Sequence, residues 1–468
     1  LVYFRSKKTV FLVAIATVLV LTFSSYTQVL SSATASGFTL PCTITTSGSA
    51  WNGEIAFDLY GTTDKSYLVV MDTNGTVLDL RESAGIGGYN AAYFLSPDLM
   101  LFQGEPVVPV TNSVWSLYAT HLWNLASNTT EDFPNVLGEH DIQYDPVNNT
   151  FLTLQDYVKQ VGDNLILYDK IVQLSSNGTI LWSWDTYNHI PLSEASPFNE
   201  TELTGNKQTV LDFTHANSLD WDYNDSIIYL NIRNTNTFYK INQTTGNIIW
   251  ACGEYGNFTL LGANGQPLAG ANGLPPSLWY HSHDLKEVAP DVFTIFNNDY
   301  DNNTNPDDCH SSLMEVTLNE TSMTAYINWN WEAPTKDWNS YGGATLILPN
   351  GDYLGDFGDP THQEPQNQLP NGSWNFNNTG AVFVEVNPAG QVVRTWTFPV
   401  GYYVYRVEAL TNATQISLPT TPSPSSVASL ILPVAISAIV VTVLAITVLA
   451  IIMFRRKTRA TQKINNNV

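Results

Sequence analysis

The sequence predicts an all-β fold of repeated four-stranded units, a β-propeller. Short runs of alternating apolar and polar residues are broken by Asn, Gly, Asp and Pro, and little of the chain has the period of an amphipathic helix. Two kinds of hairpin alternate along the 468 residues. Together they make four-stranded units spaced roughly 60–75 residues apart, which neither a sandwich nor a solenoid explains as well.

Residues 1–35 stand outside the pattern. Arg5, Lys7 and Lys8 precede the apolar run 9–28, and Ala33 and Ala35 follow it in an A-x-A arrangement, as in a secretory signal peptide or an N-terminal anchor. Residues 36–410 hold the hairpins. One kind is a strand, an Asn/Gly turn and a strand usually ending near Trp. It occurs as "YLVVMDTNGTVLDL" (67–80), "IVQLSSNGTILWSWD" (171–185), "YKINQTTGNIIWACG" (239–253) and "VFVEVNPAGQVVRTWTF" (382–398), with 313–332 a degenerate copy. The other kind occurs at 89–104, 140–155, 215–234, 283–298 and 343–358. These pairs give five blades, and residues 105–139 supply part of a sixth, so six blades are expected. Residues 411–428, rich in Thr, Ser and Pro, read as an extended stalk. Residues 429–454 are uncharged and mostly apolar, long enough for a transmembrane helix, and "RRKTR" opens the basic tail 455–468. The expected topology is a single-pass cell-membrane protein whose large N-terminal domain is extracellular.

Eight of the 19 Lys and Arg lie in the two flanks, which leaves 11 bases against all 42 acids in residues 36–428, a formal −31. Phosphate contacts need Lys and Arg, so nucleic acid is excluded as a partner. Arg81, Arg233, Arg394 and Arg406 are the arginines of that domain. About a dozen N-x-S/T sequons, among them Asn74, Asn128, Asn177, Asn242 and Asn319, fit an exported glycoprotein. Cys42, Cys252 and Cys309 allow one intramolecular disulfide at most. With no zinc spacing and no phosphate-binding Gly loop, no cofactor is expected.

Three of the eight histidines, His140, His215 and His283, open hairpins of the second kind. Equivalent positions of a propeller lie on a ring, so the three are expected to line its central channel. In 215–233 the turn is "DYND", and a hairpin folded about Asn224 returns Arg233 to His215. The same counting sets Gln155 near His140 and Asn297 near His283. A lone histidine at a blade end more often satisfies backbone groups; three in register beside a scarce arginine point instead to a site. His281 can share the face of His283. His362 can overhang the channel mouth, and His121, His189 and His310 read as loop residues.

Three imidazoles could hold a metal, but a guanidinium beside one of them repels a divalent ion and ligates nothing. The same arginine suits a tetrahedral oxyanion, which it can grip with two parallel hydrogen bonds. Phosphate and sulfate esters are the natural candidates. A propeller oxygenase would need a fourth histidine in register, where Gly343 and Tyr89 stand. A surface propeller that binds a glycan or protein, with structural histidines, is the alternative to an enzyme.

Over residues 55–408 the chain resembles the arylsulfotransferase family of exported aryl-sulfate sulfotransferases. The resemblance rests on "THANSLDWDYNDSIIYLNIRNTNTFYKINQTTGNIIWACG", "SHDLKEVAPDVFTIFNND", "GGATLILPNGDYLGDFG", "YLVVMDTNGTVL" and "TWTFPVGYYVYRVEAL". It implies a six-bladed propeller that moves a sulfuryl group from an aryl sulfate to a phenol. It also implies His283 as nucleophile, with His140, His215 and Arg233 binding the sulfuryl oxygens. One of His140 or His215, titrating near neutrality, would then serve as the acid and base. "YHSHD" offers His281 as a second candidate nucleophile, and a C-terminal anchor departs from the soluble enzymes of the family. Tyr280 could flank the aryl ring, whereas Trp279 reads as core.

Overall fold

The structure, a computed structural model, describes residues 40–60, 65–83, 88–110, 112–195, 200–270, 273–299, 310–333, 339, 341–358 and 380–411. It also gives the backbone of short strands at Tyr26–Gln28, Thr34–Ala35 and Phe38–Thr39. The chain divides into two compact units, Leu1–Ile416 and Ser417–Val468, and the described residues all belong to the first. The stalk after its first residue, the apolar run 429–454, the basic tail and most of the signal segment lie outside the described residues. Among the described residues no helix is long and apolar enough to cross a membrane.

Antiparallel hairpins build a propeller-like arrangement. The strands Glu54–Tyr60, Ser66–Asp72 and Val77–Ser83 form a meander, and Val407–Ala409 pairs on its inner side. Tyr89–Ser96, Leu99–Val108 and Leu117–Asn124 follow, completed by the first half of Thr129–Asp145. The second half of that 17-residue strand pairs with Thr150–Val161 and leads to Asn164–Ser175 and Ile180–Asp185, so one nine-stranded sheet spans both groups. A four-stranded sheet follows, Ala216–Asp222, Ile227–Ile232, Thr237–Asn242 and Ile248–Gly253. His283–Ala289, Val292–Asn297, Ser312–Asn319 and Thr324–Glu332 make the next, with Thr259–Leu261 on its edge. Ala344–Ile347, Tyr353–Phe357, Val382–Val386 and Val392–Thr397 make the last, and Thr43–Thr46 joins its outer edge. Strands from near both ends of the described chain therefore finish sheets begun elsewhere, which closes the circle.

All ten hairpins read from the sequence are present, and the strands at 117–124 and 129–145 occupy much of the 105–139 stretch. The turn glycines follow from the repeat: Gly75 and Gly246 sit at φ 92° and 72°, conformations that a side chain disfavours. The first strands of the groups contact one another in turn, from Tyr89–Ser96 through Thr129–Asp145, Ala216–Asp222, His283–Ala289, Ala344–Ile347 and Val407–Ala409 back to the start. Facing sheets are held by aromatic contacts. Phe293 packs on Tyr229 and Phe238 of the preceding sheet at 5.0 and 5.1 Å between ring centres. Phe57 meets Phe383 at 5.1 Å across the closure. Each such ring, fully buried, contributes about 1.5–3 kcal/mol of hydrophobic stabilisation.

Cys42 and Cys252 are buried free thiols in different core clusters, and Cys309 lies outside the described residues. Burial pushes the Cys42 thiol up to about 12, so it is a packing residue rather than a reactive one.

Candidate active site

Backbone bulges aim the histidines. The strand carrying His140 breaks register between Glu139 and Ile142, and the His140 backbone is left-handed at φ 52°. His215 and His281 adopt the same conformation at 52° and 53°. Such conformations are costly for a non-glycine residue and collect at functional sites.

Hydrogen bonds between neighbouring sheets correct the equivalence read from the sequence. Asp141 accepts from the Leu219 amide at 2.8 Å, Ser218 from Leu285 at 3.1 Å, and Asp284 from Thr345 at 3.1 Å. These three residues are therefore equivalent, which aligns His140 with Asn217 and His283, and aligns His215 with His281. Counting from the hairpin ends misplaced His215 by two residues, because it stands two residues ahead of Asn217, which fills the equivalent place. On this alignment Gly343 matches His283, and a Cβ there would lie 2.5 Å from the Phe296 ring. A fourth histidine in register has no room.

The channel histidines nevertheless come together. His140 and His215 are 5.2 Å apart between ring centres, and Trp115 packs edge-on against both, at 5.2 and 5.3 Å. Tyr405 lies 6.1 Å from His140 and 6.0 Å from His283. The Trp115 Nε1 and Tyr405 Oη donors are buried and make no hydrogen bond among the described residues. Arg233 donates its amide to the His215 carbonyl at 3.2 Å, the juxtaposition expected of the hairpin.

Carboxylates that the sequence reading missed stand behind these groups. His215 Nδ1 is 2.5 Å from Asp212 Oδ2, and His140 Nδ1 bonds Glu139. The Arg233 fork is filled by Glu200, at 2.7 and 3.1 Å. Glu200 also lies 3.9 Å from His281 Nδ1, which brings His281 into the cluster. His283 is held differently. Its Nδ1 is 2.7 Å from Asn298 Oδ1, an acceptor, so the proton sits on Nδ1 and the lone pair on Nε2. That lone pair receives the Gly342 amide at 3.1 Å.

Other expected contacts differ. The partner of His283 is Asn298, not Asn297, because side chains alternate along the strand. Asn297 instead accepts the amides of Tyr280 and Asp299 and donates to Ser312. Gln155 donates to the Leu137 carbonyl, on the strand leading to His140, at 2.8 Å. Tyr280 is half-buried, and Trp279 is fully buried in the core. His121 lies on a strand, stacked on Phe102 at 4.7 Å, and not in a loop. His189 stacks on Trp184, and His310 bonds the Ala333 carbonyl. His362 lies outside the described residues.

Burial keeps the imidazoles neutral. It depresses His140, His281 and His283 well below the ordinary histidine value, and Arg233 adds to the effect in each. His215 falls to about 3 for the same two reasons, while burial and the Glu200 charge raise Asp212 to about 8. The expectation of a near-neutral His140 or His215 is not met; each is a neutral imidazole backed by a carboxyl group. Burial pushes Glu200 up, but Arg233 more than offsets it and leaves that carboxyl below its usual range. Glu200, Asp212 and His215 offer three ligand atoms within 4.8 Å of one another. They do not fit a divalent ion, since Arg233 already occupies both Glu200 oxygens and Asp212 holds His215 Nδ1.

Neutral imidazoles, one with its lone pair fixed at Nε2, together with unpaired donors and an arginine, suit transfer of an oxyanionic group to nitrogen. A family model described as Arylsulfotransferase (ASST) matches residues 126–406, more than half of the chain. The chain belongs to the arylsulfotransferase family. The matched span contains all four channel histidines, Arg233 and Tyr405; Trp115 precedes it. Membership supports a sulfotransferase in general. No curated protein matches the chain. Among solved structures, the Pseudomonas aeruginosa periplasmic gluconolactonase is similar at 9% identity and TM-score 0.40, covering 79% of this chain and 100% of its own. A putative 6-phosphogluconolactonase of Bacteroides fragilis is similar at 10% identity and TM-score 0.35, with 76% of this chain and 98% of its own covered. Likeness this weak decides nothing further.

Proposed function

We propose that the protein is an aryl-sulfate sulfotransferase that works through a sulfohistidine on His283. The fixed tautomer of His283 carries this reading: Asn298 holds the proton on Nδ1, which leaves a neutral lone pair on Nε2. The Gly342 amide must first leave that lone pair. Nε2 then forms a bond to sulfur as the sulfur–aryl oxygen bond breaks and a phenolate departs. A phenol, with an ordinary pKa of about 10, leaves far better than an alkanol. Arg233, Trp115 Nε1 and Tyr405 Oη stabilise charge on the sulfuryl oxygens. In the second half a phenol attacks sulfur, the nitrogen–sulfur bond breaks, and Nε2 of His140 or His215 takes the phenolic proton and passes it to solvent, where the phenolate released in the first half is protonated.

The closed ring of first strands supports a count of six blades, with the Thr129–Asp145 strand shared by two of them. Membrane tethering and export are part of the proposal and rest on the apolar run 429–454 with its basic tail. Exposed sequon asparagines Asn74, Asn128, Asn177 and Asn319 support glycosylation.

The test is incubation of the purified protein with 4-nitrophenyl sulfate, with and without phenol. Nitrophenol release that depends on both, with parallel-line kinetics and acid-labile sulfate on the protein, is expected. Release without protein-bound sulfate would rule out the covalent route, and no release from folded protein would favour a binding module. The depressed histidines also set the pH response. A base depressed well below 6.5 stays neutral as the pH falls through that value. The acid limb of kcat/KM is therefore expected well below pH 6, toward the His215 value of about 3. A limb centred on 6.5 in the pH–rate profile would contradict burial of these rings.

A further inference from the structure

Glu200 reaches the cluster from a short hairpin added beside the sheet. Glu200–Leu203 pairs with Thr209–Asp212, which runs parallel to Asn164–Ser175. The register sets Glu200 directly opposite Asp212, an unfavourable placement for two acids unless a cation lies between them. Arg233 is that cation for Glu200, and it is thereby neutralised.

The remaining charges show the same matching. Arg406, the other arginine in the channel, lies 3.4 Å from Asp141 and 3.7 Å from Asp284. Lys286 bonds Glu408 at 2.6 Å. Glu202, two residues beyond Glu200, and the Glu139–His140 and Asp212–His215 pairs add no positive charge. The site therefore has a local arginine but no net positive charge to offer.

We propose that Glu200 sets the charge selectivity of the site, admitting monoanionic sulfate esters and rejecting dianionic phosphate monoesters of the same shape. The proposal rests on the sulfotransferase reading. A sulfate monoester carries one negative charge, whereas a phosphate monoester carries nearly two above its second pKa of about 6. The second charge would sit beside Glu200 with no further cation to meet it among the described residues. At partly buried separations of a few ångströms such repulsion amounts to on the order of 10-fold in affinity or more.

Titration calorimetry at pH 8 tests this with three probes: 4-nitrophenyl sulfate, dianionic 4-nitrophenyl phosphate, and its monoanionic methyl diester. The intact protein is expected to bind the diester on the order of 10-fold more tightly than the dianion. In Glu200→Gln, which keeps an oxygen for Arg233, that preference should shrink by a similar factor or reverse. Equal or tighter binding of the dianion by the unaltered protein overturns the proposal, even if the variant does not fold. So does a folded Glu200→Gln with an unchanged ratio. Failure of all three probes to bind the unaltered protein would instead refute the sulfotransferase reading on which the proposal depends.

Discussion

Replacing His283 by alanine is expected to lower kcat/KM for aryl sulfate by on the order of 10⁴-fold or more, and to abolish acid-labile sulfate on the protein. Loss of a covalent nucleophile removes the whole double-displacement route rather than one contact, so the effect should not be partial. His281→Ala is the comparison. That ring lies 3.9 Å from Glu200, and the Asn236 side chain holds the His281 backbone amide at 2.8 Å. It should lose activity yet still form protein-bound sulfate in a single turnover with radiolabelled donor. Full turnover by His283→Ala, or labelling lost in His281→Ala and kept in His283→Ala, would move the nucleophile to His281.

Much of this arrangement was legible in the sequence because it is local. A hairpin is specified by residues a few positions apart, so the repeated Asn/Gly turns located the strands, and the 215–233 hairpin returned Arg233 to His215. What the sequence hid arises where distant segments meet. Glu200 reaches Arg233 across 33 residues, Trp115 packs on His140 and His215, and Tyr405 comes from the final strand region to stand between His140 and His283. None of these has a spacing signal. A scarcity signal did exist for Arg406, one of four arginines in the acidic domain and within a motif of the family resemblance, but a cation of that kind reads equally well as a surface residue. The error over His215 has another cause. A histidine at the start of each hairpin looks equivalent by count alone, and the hydrogen bonds that Asp141, Ser218 and Asp284 accept from amides of the next sheet give the true equivalence.

Arg406→Met should destabilise the protein by about 3–5 kcal/mol, the cost of stripping the partner from buried charges. Arg406 is 4% exposed at the hub of the channel. It donates to the Asn217 carbonyl at 3.0 Å and to Tyr93, and it lies between Asp141 and Asp284. It thus ties four first strands to the segment that closes the ring. Methionine fills similar space but leaves Asp141 without its cation, and leaves Asp284 with Lys286 alone at 3.7 Å. Burial already pushes the Asp141 carboxyl up, and Arg406 is the main opposing influence. Without it the native Asp141 should hold its proton to higher pH than the unfolded chain does. A group with a raised native pKa gives stability at low pH that is lost as the pH rises. The deficit of Arg406→Met is therefore expected to be larger at pH 8 than at pH 5 in urea unfolding, and Asp141→Asn should recover part of it at pH 8. A variant as stable as the parent, or a deficit that grows on acidification, would mean that Arg406 is solvated and that the hub is not an ionic lock.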